Sequence, residues 1–133
     1  MGKLQSFFKQ NAAPLEEETL KLDRFDEPLI MKPVTAGEEQ KINAASFTMK
    51  TGKNGKQEPK FDAGRYNALV AIASISFPNL NDAELQNSYG VRGAEALYGA
   101  MFTMGEHQKI QTKAMELSGL NESTEDLVEE AKN

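Results

Sequence analysis

No cysteine occurs in this 133-residue chain, which excludes disulfides, thiolate metal sites and thiol nucleophiles together. That absence fits a reducing compartment. With His107 as the single histidine, His-based triads and zinc sites have almost nothing to draw on. Its place in the first turn of an expected helix suits a neutral or solvated imidazole. Long apolar runs are missing too: no segment approaches the ~20 residues of a membrane span. The amino-terminal patch of Leu4, Phe7 and Phe8 is too short for a secretory signal. A soluble intracellular protein is the expectation. Excess positive charge is also lacking, because 15 basic side chains face 20 acidic ones for a net charge of −5. An extended nucleic-acid contact needs a basic face, so that class of partner is disfavoured.

The remaining chemical motifs fail on spacing. Lys50, Lys53, Lys56 and Lys60 cluster around Gly52-Lys53-Asn54-Gly55 and invite a phosphate-loop reading. That loop needs glycine where Phe47 stands and Ser or Thr where Asn54 stands, so the cluster reads as a solvated loop tip. Asp23, Asp26 and Glu27 lack the calcium-loop pattern. No catalytic residue, cofactor or metal site is expected, and the chain reads as a binding protein.

What is present is enough apolar residue for one modest domain. The hydrophobic fraction is 39% and mean hydropathy is −0.55, so a core with polar ends is expected rather than a disordered chain. Residues 1–18 read as a partly ordered arm, 19–120 as a single domain, and 121–133, rich in Glu122, Glu125, Asp126, Glu129 and Glu130, as an acidic tail.

Within the domain, Leu20–Leu22 and Leu29–Lys32 read as short strands around an Asp- and Pro-containing turn. Thr35 and Glu38 form a capping box for a helix over about 36–47. Phe47–Gln57 reads as a surface loop or hairpin, turning tightly at Asn54-Gly55 because both tolerate positive φ. Asp62 caps a helix over 63–77 that is apolar nearly all round and therefore central, with a strand as the alternative for Val70–Phe77. Pro78 ends it. A second capping box at Asn81 and Glu84 opens a short helix carrying Leu85 and ending near Tyr89. A helix over about 92–102 follows, and a third box at Thr103 and Glu106 opens the last, with Ile110, Ala114 and Leu117 inward and Gly119 past its end. The fold class is α+β and mainly helical: a small amino-terminal β-hairpin followed by a compact helical domain.

The candidate binding residues come from two places. Phe7 and Phe8 form the apolar part of the arm. Tyr89, Gly93, Ala96, Leu97, Gly99, Ala100, Met101 and Met104 belong to the helix over 92–102 and its flanks. Gly93, Ala96, Gly99 and Ala100 give that helix a side without bulk, which suits either a close intramolecular helix contact or self-association. Leu97, Met101 and Met104 form its packing side. Methionines 101, 104 and 115 suit either the core or a partner helix.

The most distinctive stretch is Pro78-Asn79-Leu80-Asn81-Asp82-Ala83-Glu84-Leu85-Gln86-Asn87-Ser88-Tyr89-Gly90-Val91, followed by Gly93-Ala94-Glu95-Ala96-Leu97. It closely resembles the XkdN-like tail assembly chaperones of phages and prophages of Gram-positive bacteria. The likeness extends to Leu4–Phe8, to Gln10-Asn11, to Ile30–Pro33 before an acidic helix, to Tyr66-Asn67 and to Gly105-Glu106. Met104 and His107 depart from it, where a proline and an aromatic residue are expected.

The resemblance implies a protein that coats the tape-measure protein before the tail tube polymerises, in the host cytoplasm, and that is absent from the finished virion. Tail tube subunits are a further implied partner, and the small-residue side implies a homo-oligomer. The resemblance also admits a frameshifted longer form, since Lys132-Asn133 is compatible with a slippery A AAA AAC sequence. The competing readings are a structural tail component and a nucleic-acid-binding regulator using the lysine loop.

Overall fold

The computed structural model describes residues 2–120; the expected acidic tail lies outside the described residues. In the arm, a single 3-10 turn at Gln5–Phe7 holds no buried residue. An isolated turn of this length gains little from its own hydrogen bonds. The first sheet then begins with β1 (Glu18–Leu20), slightly earlier than its sequence pattern implies, and β2 (Leu29–Met31), paired antiparallel with Leu20 opposite Leu29. Leu22 follows the first strand and is fully buried.

Helix α1 (Ala36–Ala45) starts at Thr35 with both halves of its capping box formed. The chain then leaves as a β ribbon, β3 (Phe47–Thr51) and β4 (Gln57–Phe61), in register from Phe47–Phe61 to Thr51–Gln57. This second sheet reaches beyond the expected Gln57 boundary, so β structure is not confined to the amino-terminal part. The tight turn expected at Asn54-Gly55 is replaced by a longer one. Gly52 N–H donates to the Lys56 carbonyl (2.7 Å), Gly55 N–H donates to the Gly52 carbonyl, and of the loop residues Gly55 alone takes positive φ. A three-residue loop that closes on a left-handed glycine gives the ribbon the twist its strands need.

After the ribbon, Asp62 accepts from Arg65 N–H (3.0 Å) and opens α2 (Ala63–Ser74). This helix is central. It packs on α1, α4 (Ala94–Met101) and α5 (Met104–Leu117), and every residue from Arg65 to Ile75 is buried or half-buried. It ends three residues before the expected Phe77. Ile75–Phe77 instead forms β5, which pairs antiparallel with β2 and completes a sheet of order β1-β2-β5. Two forces favour the switch. Pro78 disfavours helical backbone at the residue before it, and β2 carries an open edge whose groups need partners. Lys32 N–H donates to the Ser74 carbonyl (2.8 Å), and Ser76 Oγ donates to the Ile30 carbonyl (3.1 Å).

The short α3 (Ala83–Ser88) begins one residue later than its pattern implies. Asp82, rather than Asn81, accepts from the Leu85 amide, and no reciprocal box forms. Asn81 is occupied in the preceding turn, where its amide donates to Asn79 Oδ1. Helix α4 starts two residues later than expected because Gly93 sits at φ 90° as its N-cap. Helix α5 has its complete Thr103–Glu106 capping box.

One core unites these elements: Leu22, Leu29 and Met31 from the first strands and their connection, Ala71 and Ile75 from α2–β5, Leu80, and Leu97, Tyr98, Met101, Phe102, Ile110 and Ala114 from α4–α5. The fold is α+β and mainly helical.

Candidate partner-binding surface

Among the described residues, no group of three His, Cys, Asp or Glu side chains is gathered to hold a metal ion, and no helix is long and apolar enough to cross a membrane. The strongest polar constellation is structural. Arg24, in the β1–β2 connection, donates from Nε to Glu106 Oε2 (2.9 Å) and from Nη2 to Glu106 Oε1 (2.5 Å). The same Nη2 reaches the Met101 carbonyl (2.7 Å). Glu106 also accepts from its own N-cap amide, Thr103 N–H. One side chain thus closes the end of α4 and the start of α5 together. The Arg24 fork and then the Thr103 amide outweigh burial and hold the Glu106 carboxyl down at about 2. His107 shares a hydrogen bond with the Tyr98 hydroxyl, against which its ring packs edge-on. Tyr98 is buried, and burial pushes its phenol pKa up. This pair fixes α5 against α4 and faces no deep cleft.

The residues read from sequence as candidates divide sharply in space. Leu97 and Met101 are buried in the core, and Tyr89 packs against it half-buried. Met104 was expected with the packing side, yet it is 91% exposed. The cause is its position as first residue of α5, one place past the cap, where the helix turns it outward from α4. Gly93, Ala96, Gly99 and Ala100 are all exposed, and apart from its own helix backbone and chain neighbours nothing described lies within 4 Å of where a side chain at Gly99 would begin. The small-residue side is therefore not an intramolecular helix contact. Beside it, Ala68, Tyr98, Gly99, Phe102, Thr103, Met104 and His107 line a shallow depression of about 270 Å³. Phe7, at 82% exposed, and Phe8 stand in solvent on the arm.

A second open apolar surface lies on the β3–β4 ribbon, which the sequence offered as a surface loop or hairpin without an apolar face. Side chains alternate across a strand and cross-strand partners share a face. Phe47, Met49, Pro59 and Phe61 therefore lie on one side, and Thr48, Lys50, Glu58 and Lys60 on the other. Both sides are open apart from the half-buried Thr48, and the apolar one leaves Phe47, Met49 and Phe61 exposed. At its base Phe47 packs edge-on against Phe61 (5.5 Å between centroids), and Phe61 packs on Tyr66 of α2 (5.5 Å). Tyr66 donates its hydroxyl to Glu39 (2.8 Å) and also lines a groove of about 280 Å³ with Val34, Val70, Met115 and Leu120. The apolar track is thus continuous from the ribbon into the α1–α2–α5 groove. Alternation in Phe47-Thr48-Met49 and Pro59-Lys60-Phe61 was the available signal, weakened by Pro59 and by the lysines.

The model of the phage XkdN-like tail assembly chaperone family matches residues 4–132. Among curated proteins, the phage-like element PBSX protein XkdN of Bacillus subtilis (strain 168) is 30% identical over 107 residues, 80% of this chain and 72% of that one. The uncharacterized protein YqbN of the same organism is 28% identical over the same shares of each chain. The crystal structure of YqbN has the same fold, with a TM-score of 0.72 over 90% of this chain and 98% of that one at 19% identity.

Proposed function

The chain belongs to the phage XkdN-like tail assembly chaperone family, and we propose that it serves tail morphogenesis by binding the tape-measure protein, with tail tube subunits as a second partner. In this reading it acts in the host cytoplasm as a homo-oligomer, needs no cofactor, performs no catalysis and leaves before the virion is complete. A tape-measure chain waiting for its tube is long and helical, and its exposed apolar stripes aggregate unless another surface covers them.

The observation that carries the reading is the side of α4 and the head of α5, where Ala96, Gly99 and Ala100 stand open beside the protruding Met104. Small residues let a partner backbone approach closely, and an exposed methionine adapts to varied apolar side chains. The net charge of −5 keeps such a surface soluble between encounters.

Co-expression with a fragment of the tape-measure protein is expected to give a complex that survives size-exclusion chromatography. Blocking the open face with Gly99→Gln is expected to weaken it. If both chains are folded and elute apart, the reading fails. Mass spectrometry of purified particles separates it from a structural tail component: a chaperone is absent, a component present.

A further inference from the structure

Uncovered apolar area and positive charge coincide on the β3–β4 ribbon. The ribbon and its loop, residues 47–61, carry four lysines against one glutamate, a local charge of +3 in a chain of net −5. None of these lysines forms an ion pair with a described residue; the four ion pairs seen there are Arg24–Glu106, Lys32–Glu38, Arg65–Glu95 and Lys113–Glu18. Lys53 and Lys56 flank the tip. Lys50 and Lys60 stand on the reverse side of a ribbon two strands wide, about 5 Å between strands, so their heads lie close to its edges.

The ribbon is an insertion between α1 and α2, which pack on each other directly. Its root is tied by Asp62 N–H donating to the carbonyl of the buried Ser46 (2.7 Å). Beyond that root the strands pair mainly with each other. The helical body therefore gains little from keeping Phe47, Met49 and Pro59 apolar.

We infer that the apolar face of this ribbon, with its lysine tip, is a docking surface for an acidic amphipathic segment of a partner protein. The partner's apolar stripe lies along Met49, Pro59 and Phe61 toward Tyr66, and its carboxylates meet Lys53 and Lys56. The choice of charge follows from the field of the whole chain. The remaining residues carry −8, half of it in residues 121–133, so a basic segment would be drawn to the rest of the chain and would lose its preference for the ribbon. An acidic segment is disfavoured by the net charge of the rest of the chain and favoured at the ribbon. This inference goes beyond the tape-measure reading and does not need that particular partner, because its test uses synthetic probes.

The test is fluorescence anisotropy with a labelled amphipathic peptide of about 20 residues, with leucine on one helical face and glutamate on the other, titrated with the full chain. Saturable binding is expected. The same peptide with lysine for glutamate is expected to bind at least about tenfold more weakly. Met49→Glu, at a side chain already 59% exposed, and Lys53→Glu with Lys56→Glu are each expected to weaken the acidic peptide about tenfold while circular dichroism stays unchanged. Folded variants that bind as the unaltered chain does would overturn the proposal.

Two further results would also overturn it. In one, a mixed-sequence single-stranded oligonucleotide binds with the lysine dependence and the acidic peptide does not, which makes the tip a phosphate site. In the other, replacing Glu122, Glu125, Asp126, Glu129 and Glu130 by their amides tightens peptide binding about tenfold, which makes the chain's own tail the occupant.

Discussion

Two regions of this protein use their apolar side chains in opposite ways. From Leu97 to Ala114 the chain turns Leu97, Tyr98, Met101, Phe102, Ile110 and Ala114 inward, caps α5 with Thr103 and seals the α4–α5 junction with Arg24 and Glu106. From Phe47 to Phe61 it places Phe47, Met49, Pro59 and Phe61 on one face of a ribbon and leaves that face in solvent. Burial is what makes an apolar side chain contribute to folding, so the first region contributes far more to stability than the second. Apolar surface left uncovered in this way marks an interaction site. On the proposed reading, fold and binding are carried by different parts of one small domain.

The contrast predicts a separation of effects. Leu97→Ala removes a side chain with no solvent exposure and is expected to cost about 2–5 kcal/mol in denaturant unfolding. An equal loss from Phe47→Ala would erase the distinction between the two regions.

Acid is the next lever. The Glu106 carboxyl is lowered in the folded chain from an ordinary 4.5 to about 2. Its contribution is therefore fully present above pH 4.5 and is lost as pH falls from there through about 2. Glu106→Gln is expected to be destabilised at neutral pH, and the gap to the unaltered chain is expected to close over that window. A gap independent of pH would remove Arg24–Glu106 from the account. The smallest effect on stability is expected at the open surfaces: Met49→Ser and Met104→Ser should change it by less than about 0.5 kcal/mol, while both weaken partner binding.

Sequence reading found the interior more readily than the surface, for a physical reason. Capping boxes are local chemistry, so Thr35–Glu38 and Thr103–Glu106 were legible and both form. The i, i+4 spacing of Ile110 and Ala114 identified the buried side of α5. The switch from α2 to β5 at Ile75 was not legible as more than an alternative, because it depends on the open edge of β2, a partner more than forty residues away in sequence. Met104 was misread because helical spacing groups it with Leu97 and Met101, whereas the Thr103 cap starts a new helix in a new direction. The ribbon's apolar face was missed because its two halves are separated by the lysine loop and become one surface only when Phe47 pairs with Phe61.

The methionines allow the division of labour to be observed in a single experiment. Met31 and Met101 are buried in the core, while Met49 and Met104 stand on the two open surfaces. With methionine methyl groups labelled for NMR, a soluble tape-measure fragment is expected to shift or broaden the Met49 and Met104 resonances and leave Met31 and Met101 in place. Resonances that all stay fixed, or that move only at Met31 and Met101, would contradict the claim that this protein binds its partner through surfaces its own fold leaves uncovered.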